Sequence, residues 1–250
     1  MTLTYNSHDL ETIGACGNPE IVPFNFETTY ANDAPERGAI LMQQKLGTTS
    51  VAFDIGITGT AAERRAKLSS LASWLNVTEP KNLVLPDTPT WFYKAVPDGQ
   101  VTTERGINGE IAHVAFTLTD PVAFGEYKTA EFSTNSPASF VVGGNYPTRP
   151  VVSAYATPSS TSGEAGLFGV SCNNGQVMDI YMSQLSSRII TIDCENRSVD
   201  LGSNVADYYP RTIMLDSTWF EFKPSSVSRT VSVSKGTGTA GSVRWYERWM

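Results

Sequence analysis

The sequence predicts a mainly β protein: an α+β domain over residues 1–129, followed by an all-β sandwich over residues 130–250. Three observations carry that prediction. Only one stretch, beginning at Thr60, has a convincing helical period. Upstream of about Tyr127–Glu131, that helix sits among segments alternating apolar and polar residues, the period of half-buried strands. Downstream, only short strand-like runs remain, separated by turn signals. A chain of 250 residues with 40% hydrophobic content can bury a core, and its length allows one large or two modest domains.

Taken in order, residues 1–20 show little periodicity and are expected to form an edge strand or arm. Ile21–Glu27 is strand-like, and Tyr30–Gly38 reads as loop. Ala39–Leu46 and Ser50–Ile57 read as two strands joined at Gly47-Thr48-Thr49. In the second, Val51, Phe53, Ile55 and Ile57 alternate with Ala52, Asp54 and Gly56.

Thr60 and Glu63 have the spacing of a capping box, in which each side chain satisfies an orphan backbone donor at a helix start. Leu68, Leu71, Ala72 and Leu75 then recur at helical spacing and form one apolar stripe. Arg64, Arg65, Lys67, Ser69 and Ser70 are expected to stay wet. Asn76 and Pro80 end the helix, since proline cannot continue the ladder. A β-like run, Leu83-Val84-Leu85, precedes the turn Pro86–Pro89 and an aromatic strand from Trp91 to Val96. Gly109–Thr119 alternates again, with Ala112, Val114, Phe116 and Leu118 on one face.

From Phe132 onward the expected strands are short. They include Phe140–Val142 before Gly143-Gly144-Asn145, Val151–Tyr155, Arg188–Cys194 and Ser198–Leu201. Thr218–Lys223, Thr230–Ser234 and Ser242–Arg248 complete the series. Asn174-Gly175 is a two-residue hairpin signal between Gly166–Asn173 and Gln176–Ser183.

Composition narrows the function. The net charge of −7 argues against a surface that grips nucleic acid, which needs clustered Lys and Arg. No run approaches the ~18 apolar residues of a membrane helix. The N-terminus lacks a basic region followed by an apolar one, so synthesis in a cytoplasm without export is expected. Cys16, Cys172 and Cys194 form no framework; Cys172 and Cys194 could pair if their strands were neighbours, but without export reduced core thiols are expected.

No catalytic, cofactor-binding or metal-binding residues are assigned, and no binding residues can be named. His8 and His113 are the only histidines; His113 lies in an alternating strand and reads as structural. Zinc needs four converging Cys or His ligands, and the five present are scattered. Gly236–Gly241 spells G-x-G-x-x-G, but a dinucleotide site needs a helix after it, and the last nine residues read as a strand. The motif is expected to be a flexible hairpin loop. Asp193 and Glu195 lie two apart and are expected on one strand face, where solvation explains them better than a glycosidase pair. Trp219-Phe220-Glu221-Phe222 and Trp245-Tyr246 could stack on sugar, but alternating aromatics in a sandwich are expected to be core.

The chain resembles the siphophage distal tail proteins (Dit) of the phage tail component family. In the first domain the resemblance rests on the order of Val51–Ile57, the AERRAKLSSLASWL helix, Asn82–Asp87 and Trp91–Ala95. In the second it rests on Asn174-Gly175, on Ile190–Glu195 followed by Val199, on Trp219–Pro224, and on Val243–Trp249. Ser225-Ser226-Val227 departs from the glycine and asparagine that the family often places there. The resemblance implies a non-enzymatic tail-tip hub, a homohexameric ring as a rule. Its N-terminal domain would be a tail-tube-like β-sandwich with one helix, and its C-terminal domain a galectin-like β-sandwich. The implied partners are further copies of the chain, the major tail tube protein, a tail-tip or tail-associated protein and a receptor-binding protein. DNA would pass through the lumen without specific binding, no membrane is involved, and the location would be the virion tail tip. A carbohydrate-binding module on an oligomerisation domain is the alternative, and a glycoside hydrolase-like enzyme ranks last.

Overall fold

The computed structural model describes residues 2–22, 25–31, 40–106, 109–160, 166–182, 187–202 and 217–250. The loop expected at Tyr30–Gly38 lies outside these residues from position 32 on, as do Pro23, Phe24, Ala39 and Ser183 of expected strands. The chain divides into two compact units, Met1–Phe124 with the terminal Met250, and Gly125–Trp249.

The strands of the first unit are β1 (Thr4–Tyr5), β2 (His8–Asp9), β3 (Ala15–Cys16), β4 (Glu20–Ile21), β5 (Phe26–Ala31), β6 (Ile40–Leu46), β7 (Thr49–Thr58), β8 (Lys81–Val84), β9 (Tyr93–Pro97), β10 (Thr102–Arg105) and β11 (Gly109–Leu118). One helix, α1 (Ala61–Leu75), lies between β7 and β8. The main sheet runs β2-β1-β8-β9-β11-β7-β3, with β10 also on β11 and β4 also on β7. Its centre is the antiparallel pair β7 and β11, matched from Thr49↔Leu118 to Thr58↔Gly109. Because side chains alternate along a strand, this register puts Val51, Phe53, Ile55 and Ile57 on the buried face with Ala112, Val114, Phe116 and Leu118.

Residues 1–20 contribute more than the arm expected of them. Leu3, Tyr5, Leu10 and Ile13 are all buried in this core. Asn6 and Ser7 both take positive φ, 51° and 63°, between paired Tyr5 and His8. That is the geometry of a type I′ hairpin, whose twist matches the flanking strands. The segments are two residues each, too short to show a period. The Tyr5 hydroxyl donates to the Ala95 carbonyl at 3.3 Å, and burial pushes its phenol up to about 12.

Both halves of the α1 capping box form. The Glu63 N–H donates to Thr60 Oγ1 at 3.3 Å, and the Thr60 N–H donates to Glu63 Oε2 at 2.7 Å. These bonds from Thr60 hold the Glu63 carboxyl below its usual range. Thr60→Ala is expected to cost about 1 kcal/mol in urea denaturation. Leu71 and Leu75 are buried, with Leu68 and Trp74 packed at the edge of the core. Ala72, expected on the stripe, is exposed. The stripe turns toward Trp74 instead, whose ring stacks on His8 at 4.5 Å; its area outweighs one methyl. Arg64 and Lys67 are also less wet than expected. They donate to the carbonyls of Gly59 and Thr58 at 2.5 and 3.3 Å, tying the helix start to the end of β7.

The second unit contains β12 (Ala123–Phe132), β13 (Ala138–Val142), β14 (Val151–Thr157), β15 (Ser159–Ser160), β16 (Gly166–Cys172), β17 (Val177–Met182), β18 (Arg188–Asp193), β19 (Ser198–Asp200), β20 (Ser225–Lys235) and β21 (Thr237–Trp249). One sheet runs β12-β21-β14-β18-β19 and the other β13-β20-β16-β15, with β17 also on β16. Val152, Ile192 and Val243 from the first and Phe168, Val170 and Val231 from the second share one core, so the unit is a β-sandwich.

The β16–β17 hairpin is where the Asn-Gly signal puts it, with a different turn. Cys172 N–H donates to Gln176 O at 2.8 Å and Gly175 N–H to Cys172 O at 3.0 Å, so the loop has three residues, Asn173–Gly175. Gly175 alone takes the left-handed conformation, φ 88°. A type I′ turn would need Asn174 there too. The strand expected at Thr218–Lys223 is reduced to a single bridge, Phe222↔Thr148. The Gln176 side chain takes over there, donating to Trp219 O and accepting from Glu221 N–H.

Candidate assembly interface

Among the described residues β5 and β6 pair only with each other, and they form the part of the first unit that its core does not explain. Aromatic and β-branched residues favour extension in Phe26–Ala31, and the paired ends are closed by a Glu27–Lys45 ion pair at 2.8 Å. Ten of the thirteen residues of the ribbon are exposed, on both faces. Phe26, Tyr30, Ile40, Leu41 and Met42 stand 53–68% exposed. A two-stranded ribbon is marginal in water without a further packed layer. Contiguous exposed apolar area of this kind marks an interaction surface. The sequence carried a signal for it: three consecutive apolar residues, Ile40-Leu41-Met42, cannot all face one side of a strand.

The residues weighed for chemistry are placed apart. His113 lies on the exposed face of β11, its Nδ1 2.6 Å from Asp54 Oδ1 and its Nε2 3.8 Å from Glu104 Oε1. With a carboxylate at each ring nitrogen, it ties β7 and β10 to β11. Asp193 and Glu195 do not share a strand face. Asp193 closes β18, its Oδ1 accepting from the Glu195 and Asn196 N–H groups at 3.0 Å, while Glu195 lies in the turn beyond, 3.7 Å from Arg149. Among the described residues, no three His, Cys, Asp or Glu side chains gather as metal ligands.

Gly236–Gly241 is neither a phosphate loop nor a flexible hairpin tip. Gly236, at φ 75°, turns the chain from β20 into β21, which lie in different sheets, and the rest of the motif is strand. A side chain at Gly241 would meet the Phe132 ring at 2.7 Å.

Phe220, Phe222 and Trp245 are buried, and the half-buried Trp219 packs against the same core, the core placement expected of them. All three cysteines are free. Cys172 and Cys194 are buried, and burial pushes the Cys194 thiol up to about 12 and that of half-buried Cys16 to about 11.

Comparison with known proteins places this fold. Residues 143–249 match the family model of the siphovirus-type tail component, C-terminal domain. No curated protein sequence matches the chain. The crystal structure of SPP1 Dit, described as a paradigm of the hub adsorption apparatus in phages infecting Gram-positive bacteria, superposes with a TM-score of 0.73 at 15% identity, covering 100% of this chain and 99% of that one. A chain of the phage P2 baseplate in its activated conformation with calcium gives 0.48 at 7% identity, covering 99% and 98%. Residues 143–249 thus match the C-terminal domain of the siphovirus-type tail component family, and the chain as a whole has the fold of SPP1 Dit.

Proposed function

We propose that this chain is the ring-forming hub of a siphophage tail tip, a structural protein rather than an enzyme. The match of residues 143–249 to the tail component family carries this reading, and the full-length likeness to SPP1 Dit supports it. In it, residues 1–129 form the tail-tube-like ring and continue the tube wall from the major tail tube protein. Residues 130–250 face outward as a galectin-like sandwich that docks tail-tip and receptor-binding proteins. Closed rotational symmetry would cover the exposed ribbon through a repeated heterologous contact.

The outer face of the central sheet carries Asp54 and Glu104 beside the small residues Ala52, Gly56 and Ala115. Lining the lumen, such a face would let DNA pass without adhesion. Light scattering of the purified protein, with negative-stain images of the same peak, is expected to give closed rings of about six copies with an open centre. A chain that stays monomeric at every concentration, alone and mixed with its tail tube protein, overturns the ring.

A further inference from the structure

Two features of the first unit stand open to solvent, an apolar ribbon and a basic groove. The β5–β6 ribbon presents Phe26, Tyr30, Leu41 and Met42 to solvent. Beside α1 lies an open groove of about 770 Å³, lined by Ala62, Ala66, Leu68, Arg64, Arg65 and Arg105 together with Glu110.

The chemistry of the two is complementary. Alanine methyls leave room for large side chains, and guanidinium groups stack on aromatic faces. Arg64 Nε is buried without a hydrogen-bond partner among the described residues, its nearest carboxylate oxygen being Glu110 Oε2 at 3.7 Å.

Charge points the same way. The described ribbon is neutral, its Glu27 and Lys45 being paired, whereas the groove carries three arginines against Glu110. A neutral ribbon brings no positive charge to this basic groove, so charge repulsion does not oppose the pairing. A surface that complements a different surface of the same molecule makes a heterologous contact, and such contacts repeat around a ring.

We propose that the β5–β6 ribbon of one copy docks in the α1 groove of the next. This rests on the ring reading above and names the two halves of its interface.

The test is thiol cross-linking of the full chain carrying Met42→Cys together with Ala66→Cys. The native thiols compete poorly, because Cys172 and Cys194 are buried and the pKa of Cys16 is raised. With a short thiol-to-thiol linker, the double variant is expected to give a ladder on denaturing gels up to the copy number of the ring. Each single variant should give no ladder. Rings that form but yield no ladder overturn the ribbon–groove pairing and leave the ring reading standing. Absence of rings in both parent and double variant overturns both. Met42→Lys supplies a second readout, since Met42 is exposed and its loss leaves the core intact. It should keep the parent's melting transition and lose the ring; rings as abundant as the parent's overturn the pairing.

Discussion

Leu71→Ala is expected to destabilise the first unit by about 2–5 kcal/mol, read as a lower urea midpoint with an unchanged slope. Leu71 is 1% exposed and faces the same core as Leu75 and the buried row of β7. Its removal loses the transfer energy of a leucine and leaves a cavity that a sheet clamped by the full β7–β11 register cannot collapse. Ala72→Ser, one position along, should stay within about 0.5 kcal/mol, because Ala72 is exposed. Equal costs at the two positions would show that the helix presents a different face to the sheet.

Trp245→Ala is expected to cost about 3–5 kcal/mol in the second unit, again by urea denaturation of the full chain. Trp245 is 4% exposed and packs on Phe140 with ring centroids 4.4 Å apart, and Phe140 meets Phe222 at 5.4 Å. Loss of this aromatic cluster would empty the space between the two sheets. Trp245→Phe should cost less. It keeps most of the apolar area and removes a buried indole N–H with no hydrogen-bond partner among the described residues. The carbohydrate-binding alternative makes the opposite prediction, a near-neutral Trp245→Ala with lost glycan binding, so one denaturation curve separates them.

The surfaces that remain for function are those the cores do not consume. In the second unit the clustered aromatics are structural. In the first, the ribbon exposes large apolar side chains on both faces, and three arginines line the groove beside α1.

By itself, the sequence determined the elements whose signal is local. The Thr60–Glu63 capping box, the alternation of Val51–Ile57 and Gly109–Leu118, and the mainly β character with one helix were all legible. Each depends on backbone geometry within a few residues, where period and capping chemistry act directly. Only the tertiary structure decided what depends on distant partners. Leu3, Tyr5, Leu10 and Ile13 are core because β8 and α1 return to cover segments too short to show a period. Trp74 outcompetes Ala72 because His8 stacks on it. Asn174-Gly175 makes a three-residue turn because Cys172 and Gln176 close the pair across it. One strand of the ribbon was legible, Ala39–Leu46 against the observed Ile40–Leu46, but its pairing with Phe26–Ala31 and its exposure were not, because its strands lack the alternation that burial on one face imposes.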